Sequence, residues 1–356
     1  MRRMRAVVQD RYGSPEEVLQ VRQVDIPQPA PDEVLVRVRA ASVNPDVWHA
    51  IVGYPRVMRL MGAGLRSPHH AIPGLDMAGE VEAVGRDVSG FAPGDAVFGE
   101  THDRIQWVNG GAFAEYVCVP HHVLALKPEG ISFEQAATVP TAGTIALVNL
   151  PLHLWSEPGQ RVVINGAAGG VGSIAIQMAK ANGAFVVGVD HTTKLDFMRS
   201  LGADQVVDYT QEDVTRLEQG VDLIIDVAST LPLSACKRML KPNGLVVVIG
   251  HDHYGIKGRR TLGGIPGFLE LMIRARFDRN LPWPSFETIE KRDAMETLRD
   301  MLEARVLTPI VAKTFPLDEV PAAIRCLQTG ASCGRIVIVP WSSSPSQGHQ
   351  QHKGRH

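Results

Sequence analysis

The residues whose types and spacing suggest chemistry most clearly form a glycine-rich turn, Gly166-Ala167-Ala168-Gly169-Gly170-Val171-Gly172. The turn follows a short apolar run, residues 162–164, and precedes a segment whose apolar residues recur on one helical face. A strand, a glycine turn and a helix in succession present helix N-terminal amides to a pyrophosphate. Such turns also occur as simple tight bends, so the neighbouring elements must decide between the two interpretations.

The neighbouring elements favour dinucleotide binding. Gly169 allows the backbone to approach phosphates and Gly172 allows close packing of helix on strand, although Ala167 stands at the first glycine position of the common motif. The predicted phosphate-binding set is Ala168, Gly169, Gly170, Val171 and Gly172. A second apolar run, residues 185–190, predicts the next strand and ends at Asp190.

The choice of dinucleotide stays open at this stage. An acidic residue such as Asp190 at a strand end hydrogen-bonds a ribose 2′-hydroxyl and repels a 2′-phosphate, which favours NAD(H). Lys194 could instead pair with a 2′-phosphate, and His191 could add a hydrogen bond, which favours NADP(H). Lys194 also fits a solvated lysine on a helix surface.

The elements that must position this turn fall into two patterns. Residues 5–128 contain short alternating segments, including 33–38, 79–84 and 96–98, which predict a β-rich domain. From residue 159 strands and helices alternate, with later strands at 205–208, 221–226 and 245–250. This pattern predicts an α/β fold with a doubly wound parallel sheet. Helices are predicted near 266–276 and 291–305, and residues 335–339 predict a strand that returns to the first domain.

Composition excludes several classes of protein. The 356 residues exceed the size of most single cores, and a net charge of -2 provides no basic surplus for nucleic acid. We found no apolar signal core and no run long enough for a membrane span, and the four cysteines form no pair of disulfide or metal-site spacing. These features predict a cytoplasmic protein that binds neither nucleic acid nor membrane. The polar tail, residues 342–356, is predicted to be disordered.

Several further motifs carry a resemblance to a known family. They are Ala41-Ser42-Val43-Asn44-Pro45, Pro73-Gly74-Leu75-Asp76-Met77-Ala78-Gly79, Gly111-Ala112-Phe113-Ala114-Glu115-Tyr116, residues 165–172, Leu201-Gly202-Ala203-Asp204 and Asp208-Tyr209. Over residues 4–339 the chain resembles the zinc-free, quinone oxidoreductase-like branch of the medium-chain dehydrogenase/reductase superfamily. The resemblance implies a homodimer.

The resemblance also implies a domain organisation. A GroES-like catalytic β-domain formed by residues 1–130 and completed by residues 276–341 would enclose a Rossmann dinucleotide-binding domain, residues 131–275. The active site would lie in the cleft between the two domains.

The residues at the family's zinc positions argue against a catalytic metal. Asn44 stands where zinc alcohol dehydrogenases of the superfamily have a cysteine ligand, and Leu75 stands where they have a histidine. An amide is a poor zinc ligand and leucine is none. Cys118 is the only cysteine before the glycine turn, so the structural zinc lobe is also missing. We therefore expect no metal at the active site.

Without a metal, the simplest reaction is hydride transfer from a nicotinamide to a quinone or an α,β-unsaturated carbonyl. The resemblance implies that Asn44 and Tyr54 lie in the cleft and that Trp48 lies nearby, although packing is the better interpretation of Trp48. It also implies cofactor contacts from several further residues: Thr141, Thr144, Tyr209, Gly250 and Arg335. Tyr209 pairs with Lys194 in this scheme, in favour of NADP(H).

One departure from the family concerns the third catalytic candidate, Asp46. Family members usually have Asn-Pro-x-Asp-Trp, whereas here Asp46 and Val47 stand in the reverse order. In an extended segment a shift of one residue turns a side chain to the opposite face, so the direction of Asp46 stays open. Two alternatives therefore remain beside the reductase: a zinc-independent alcohol dehydrogenase, and a non-catalytic NAD(P)H-binding partner or redox-sensing protein.

Overall fold

The computed structural model describes residues 2–103, 108–150, 158–217, 219–250, 261–281 and 290–341. The predicted disordered tail lies outside these residues. The helices are α1 (Pro15–Val18), α2 (Pro45–Val52), α3 (Phe133–Ala137), α4 (Pro140–Asn149), α5 (Gly170–Ala181), α6 (Leu195–Ser200), α7 (Val214–Leu217), α8 (Leu233–Met239), α9 (Ile265–Ala275), α10 (Lys291–Glu303) and α11 (Val320–Gln328). The strands are β1 (Arg3–Gln9), β2 (Leu19–Asp25), β3 (Glu33–Val43), β4 (Asp76–Val84), β5 (Ala96–Glu100), β6 (Tyr116–Pro120), β7 (Leu124–Leu126), β8 (Arg161–Asn165), β9 (Phe185–Asp190), β10 (Gln205–Asp208), β11 (Val221–Asp226), β12 (Leu240–Val248), β13 (Val311–Pro316) and β14 (Arg335–Val339).

The N-terminal part of the chain forms a largely antiparallel sheet. Its order is β13-β14-β3-β4-β5-β7, with β6 also paired to β3, and β1 and β2 form a separate antiparallel pair. Strand β14 pairs with the end of β3, where Ile336 lies opposite Val43. The last described strand therefore returns to the first sheet and lies beside the segment that leads into Asn44.

The second sheet has five parallel strands in the order β10-β9-β8-β11-β12. Successive strands run outward in both directions from β8, so a crevice opens at the carboxyl ends of β8 and β11. The glycine turn follows β8 directly and leads into α5. The predicted α/β fold with a β-rich first part is confirmed, and β9, β10, β11 and β14 have the predicted bounds.

The expectation that the segment after Asn44 is extended is wrong, because residues 45–52 form helix α2. The Asn44 side chain caps the helix by accepting a hydrogen bond from the Val47 N–H at 3.0 Å, and Pro45 suits the first turn. Gly53 ends the helix with φ at +67°, and its N–H donates to the His49 carbonyl at 2.8 Å.

Two cores hold the sheets in place beside the crevice. One lies under the first sheet and includes Trp48, Ile51 and Leu75, and the other surrounds β8 and α5 and includes Leu298 of α10. Trp48 therefore packs in the core, as expected. Among the described residues, no helix is long and apolar enough to cross a membrane.

Candidate active site

A cleft of about 950 Å³ lies between the two sheets. Many of the residues that the sequence singled out line it: Asn44, Asp46, Thr141, Gly169, Gly170, Val171, Asp190, Lys194, Tyr209, Gly250 and Arg335. The others are absent from the described lining: Tyr54, Thr144, Ala168, Gly172 and His191. We call the part of the cleft near Asp190 the adenosine end and the part near Asn44 the reaction end.

The glycine turn packs as the motif requires. A Cβ atom on Gly172 would lie 2.3 Å from the Gly166 carbonyl oxygen and 2.7 Å from the Ala167 Cα, so this position needs glycine. Gly169 caps α5 in an extended conformation, and a Cβ there would meet only the Gly166 oxygen at 3.3 Å. Gly172 therefore serves packing, whereas Gly169 leaves space at the helix N-terminus.

Arg335 supports a pyrophosphate site at this helix N-terminus. Its guanidinium lies against Gly170, where an added Cβ would meet the Arg335 Nε at 2.5 Å. Arg335 is buried, and its Nε has no hydrogen-bond partner among the described residues. A buried guanidinium with an unsatisfied N–H beside a helix N-terminus suits an anion, so the residues present fit the diphosphate of a dinucleotide.

At the adenosine end, the Asp190 carboxylate faces inward. One oxygen accepts a hydrogen bond from the Ala168 N–H at 3.0 Å, and the other accepts from the His191 N–H at 2.8 Å. Lys194 lies 3.1 Å from the second oxygen, and both side chains are about nine-tenths buried. Lys194 is therefore not a solvated surface lysine, and the Asp190–Lys194 pair presents little net charge to a ribose.

Tyr209 forms an exposed wall of this end of the cleft. Its side chain is 58% exposed, and its ring centroid lies 6.0 Å from that of His191 in an edge-to-face arrangement. An aromatic face of this kind can lie against an adenosine phosphate or ribose without itself being buried.

At the reaction end, one carboxylate joins residues from distant parts of the chain. Asp76 at the start of β4 is fully buried. One of its oxygens accepts from the Ser42 hydroxyl at 2.8 Å and the Asn44 amide at 3.3 Å. The other accepts from the Thr141 N–H at 3.1 Å and also from the Thr141 hydroxyl. Arg335 Nη2 lies 3.9 Å from the oxygen that accepts from Ser42 and Asn44.

Asp76 thus fixes Asn44 and Thr141 in relation to each other. The Asn44 side chain donates to Asp76 and accepts from Val47, so its orientation and that of α2 are determined together. Residues 45, 46 and 49 lie on one face of α2 because the helical period is 3.6. Pro45, Asp46 and His49 all line the cleft, whereas Trp48 packs in the core and its ring meets the His49 ring edge-to-face at 4.9 Å.

Two predicted residues have other surroundings. The Tyr54 ring is half-buried against the core of the first sheet and lies 5.8 Å from the Arg59 guanidinium, and its carbonyl oxygen lies 2.7 Å from His49 Nδ1. Thr144 is buried, and its hydroxyl has no hydrogen-bond partner among the described residues. Thr144 lies one helical turn from Thr141 on α4.

A second buried carboxylate lies close to the reaction end. Glu100 at the end of β5 is almost fully buried and forms an ion pair with Lys291 of α10. Burial raises the pKa of Glu100 to about 7, and the negative charges of Asp76 and Asp46 act in the same direction while Lys291 opposes them. Lys291 does not fully compensate the cost of burying this charge.

Leu75 and Asn44 stand at two positions that hold zinc ligands in zinc alcohol dehydrogenases. Leu75 is buried in the core and Asn44 bonds to Asp76. Over the part of the chain that the structure describes, no cluster of three His, Cys, Asp or Glu side chains could hold a metal ion.

Sequence reasoning missed two residues of the reaction end. Asp76 lies within the quoted motif at residues 73–79, but nothing in the motif shows that its carboxylate binds Asn44 and Thr141. His49 follows Asp46 by three residues, a spacing that places both on one face only if the segment is helical. The capping signal of Asn44 and Pro45 was the available sign of that helix.

The parallel sheet, the glycine turn at its switch point and the adjoining β-rich sheet define a dehydrogenase or reductase of the alcohol dehydrogenase type. Comparison with known families agrees. A model described as "Alcohol dehydrogenase GroES-like domain" matches residues 30–129, and one described as "Zinc-binding dehydrogenase" matches residues 201–338.

Individual relatives are similar over nearly the whole chain. The "Quinone-oxidoreductase QR1, chloroplastic" of Triphysaria versicolor is 33% identical, covering 95% of this chain and 98% of the relative. The "NADPH-dependent alkenal/one oxidoreductase, chloroplastic" of Arabidopsis thaliana is 31% identical, covering 95% and 80%. The structure of the quinone oxidoreductase from Coxiella burnetii has a TM-score of 0.79 at 28% identity, covering 95% of this chain and 100% of that one.

The chain belongs to the medium-chain dehydrogenase/reductase superfamily, in its quinone oxidoreductase-like branch, and is an oxidoreductase of that branch.

Proposed function

We propose that the protein uses NAD(P)H to reduce a quinone or an α,β-unsaturated carbonyl compound. The observation that carries this proposal is the continuity of the cleft from the Arg335 and Gly170 region to the Asp76-anchored pair Asn44 and Thr141. A dinucleotide whose diphosphate bound at the first region could extend along the cleft to the second. The names of the alkenal/one and quinone oxidoreductase relatives support this substrate class.

When bound, the dihydronicotinamide supplies a hydride, and the chain's own residues bind and orient the reactants. Gly169, Gly170 and Arg335 would hold the pyrophosphate, with Ala168, Val171 and Gly172 shaping the turn. Asp190, Lys194 and Tyr209, with His191 beside them, would surround the adenosine ribose of NADPH or NADH. Gly250 borders the cleft at the sheet edge.

At the reaction end, Thr141 on α4 lines the cleft and would orient the nicotinamide. The family resemblance assigns a nicotinamide contact to Thr144 as well, although this buried residue does not line the described cleft. One N–H of the Asn44 amide bonds to Asp76. The second N–H is a donor for the substrate oxygen, on which negative charge develops during hydride transfer.

We further propose that the reaction is independent of zinc. The support is the chemistry of the donor set, because Leu75 offers no ligand and Asn44 already uses its amide oxygen to cap α2. Metal analysis of the purified protein tests this, and one tightly held zinc per chain would contradict it.

The finer organisation is also a proposal. We infer a homodimer in the cytoplasm, with residues 1–130 and 276–341 as the catalytic domain and residues 131–275 as the dinucleotide-binding domain. Four scattered cysteines suit a reducing compartment. Size measurement by analytical ultracentrifugation tests the dimer.

Oxidation of NADPH and of NADH, assayed against a panel of quinones, enones and alcohols, tests the proposed function. We expect turnover with quinones or enones. Tight nucleotide binding without turnover of any acceptor would instead indicate a non-catalytic binding protein, and alcohol oxidation alone would indicate an alcohol dehydrogenase.

A further inference from the structure

We propose that His49 donates the proton that completes the reduction of an α,β-unsaturated acceptor. The inference rests on the proposed function and assigns a catalytic residue within the same cleft.

The position of His49 supports this role. The residue is 8% exposed on α2 and lines the cleft together with Asn44, Asp46 and Thr141. It therefore lies at the reaction end, beside the residues that would orient the acceptor and the nicotinamide.

The hydrogen bonding of the ring determines which nitrogen exchanges a proton. His49 Nδ1 lies 2.7 Å from the Tyr54 carbonyl oxygen, which can only accept a hydrogen bond. Nδ1 therefore keeps its hydrogen, and Nε2 is the nitrogen that gains and loses a proton. The left-handed turn at Gly53 ends α2 just before Tyr54, whose carbonyl then meets the ring.

Other titratable residues of the described cleft suit the role less well. Lys194, Asp190 and Tyr209 belong to the adenosine end, and Glu212 and Asp213 follow Tyr209 there. Arg335 lies nearer, but a guanidinium does not lose its proton in proteins. Asp46 is on the same face of α2, yet an aspartate is normally ionised at neutral pH, whereas histidine changes its charge in that range.

Charged groups lie on the elements packed around the reaction end. They are Asp46 on α2, Asp76 on β4, Glu100 on β5 with Lys291 on α10, Arg335 on β14, and Arg59 beyond the end of α2. In general a carboxylate close to an imidazole favours its charged form, and a nearby cation opposes it.

The proton step balances without a further reactant. Addition of a hydride from bound NAD(P)H to the β-carbon moves the C=C electron pair into an enolate. The Nε2–H bond of the imidazolium then breaks, a new C–H bond forms at the α-carbon, and the neutral imidazole takes a proton from water.

The substitution His49→Asn tests the proposal, because the asparagine amide can still donate to the Tyr54 carbonyl but cannot deliver the Nε2 proton. An α-substituted cyclic enone is reduced in D₂O, and the face of the α-carbon that receives deuterium is determined by NMR. We expect the unchanged enzyme to deuterate one face. His49→Asn should lower kcat about 100-fold, the size typical of general acid catalysis, and should deuterate both faces.

Quinones provide an internal comparison. Their reduction leaves an oxyanion that water can protonate, so we expect the loss of kcat with a quinone to be at least about tenfold smaller than with the enone. His122→Asn, at an exposed histidine paired with Asp103, is the matched control and should behave like the unchanged enzyme. Thermal melting and enone binding, both measured without cofactor, show whether each variant is folded. If His49→Asn does not fold, the same experiment is done with His49→Gln.

The outcomes separate the two proposals. Absence of turnover with both enones and quinones by the unchanged enzyme overturns the proposed function and this inference together. Turnover of quinones without turnover of enones overturns this inference and leaves the proposed function standing. Turnover that keeps single-face deuteration in a folded His49 variant overturns the role of His49 alone. Deuteration of both faces by the unchanged enzyme does the same.

Discussion

The two ends of the cleft are assembled in different ways. The adenosine end is made of residues between 166 and 209, which follow one another through the glycine turn, α5, β9, α6 and β10. The reaction end joins Asn44, Asp76, Thr141 and Arg335, which come from four separate segments and meet at one fully buried carboxylate. The comparison teaches that a cofactor site can be local in sequence while the chemistry beside it depends on long-range hydrogen bonds.

The largest expected effect comes from Asp76→Asn. The introduced amide nitrogen would face groups that themselves donate, such as Thr141 or Ser42, and would leave at least one of them unsatisfied. We expect the free energy of unfolding to fall by about 2–4 kcal/mol, with a loss of kcat. Urea unfolding of the cofactor-free protein measures the first effect.

Asp190→Asn is the matched control at the adenosine end. Its partners are two backbone N–H groups of neighbouring segments and Lys194, so we expect weaker cofactor binding with a smaller loss of stability. An equal loss of stability in the two variants would remove the contrast between the ends.

Substitutions at Gly172 and Gly169 should have effects of intermediate size. They should separate a packing role from a nucleotide-binding role within the glycine turn. Gly172→Ala places a Cβ 2.3 Å from the Gly166 oxygen, so we expect it to destabilise the protein by about 1–3 kcal/mol. Gly169→Ala meets nothing closer than 3.3 Å and should preserve stability while weakening nucleotide binding. Thermal melting and nucleotide titration of both variants measure these effects, and similar melting behaviour would contradict the distinction.

A smaller effect is expected from Lys194→Ala, which sharpens the account of the adenosine end. Loss of a charge-assisted hydrogen bond should raise the dissociation constant for NADPH about tenfold more than that for NADH. Fluorescence titration with each nucleotide measures the ratio. Equal changes would mean that Lys194 serves only to neutralise Asp190.

The last effect concerns the pH dependence of the reaction end. Because burial raises the pKa of Glu100 from 4.5 to about 7, the folded protein binds more protons than the unfolded chain between these values. Glu100 should therefore make stability decrease as pH rises from about 4.5 to about 7. Melting temperatures across this range measure the slope, and Glu100→Gln should flatten it. A slope unchanged by the substitution would assign the dependence to other groups.

Much of the adenosine end could be predicted from the sequence. The glycine turn, the strand that ends at Asp190 and the following Lys194 lie within a short window, where hydrophobic periodicity identifies the elements. Two features escaped prediction. The Asp190 carboxylate turns inward toward Ala168, and a hydrogen bond between a strand end and a turn has no sequence signature. The Lys194 side chain is buried against Asp190, which the sequence left undecided.

The reaction end was predicted less completely. Asn44, Asp46 and Thr141 were identified and line the cleft, but Tyr54 was placed in the cleft and His49 was passed over. The cause is one element: treating residues after Asn44 as extended gives side chains a period of two, whereas helix α2 gives them a period of 3.6. That difference alone moves His49 onto the face of Asp46.

The sequence by itself determined the α/β fold, the family and the dinucleotide turn, because contiguous motifs and local periodicity identify each of them. It also determined that Asn44 and Leu75 replace the residues that would hold a catalytic zinc. Only the tertiary structure decided that Asp76 joins Asn44 to Thr141 and that His49 borders the reacting groups. Those relations depend on which buried donors form hydrogen bonds to one carboxylate when β4, α2 and α4 pack together. No local sequence pattern specifies those long-range hydrogen bonds.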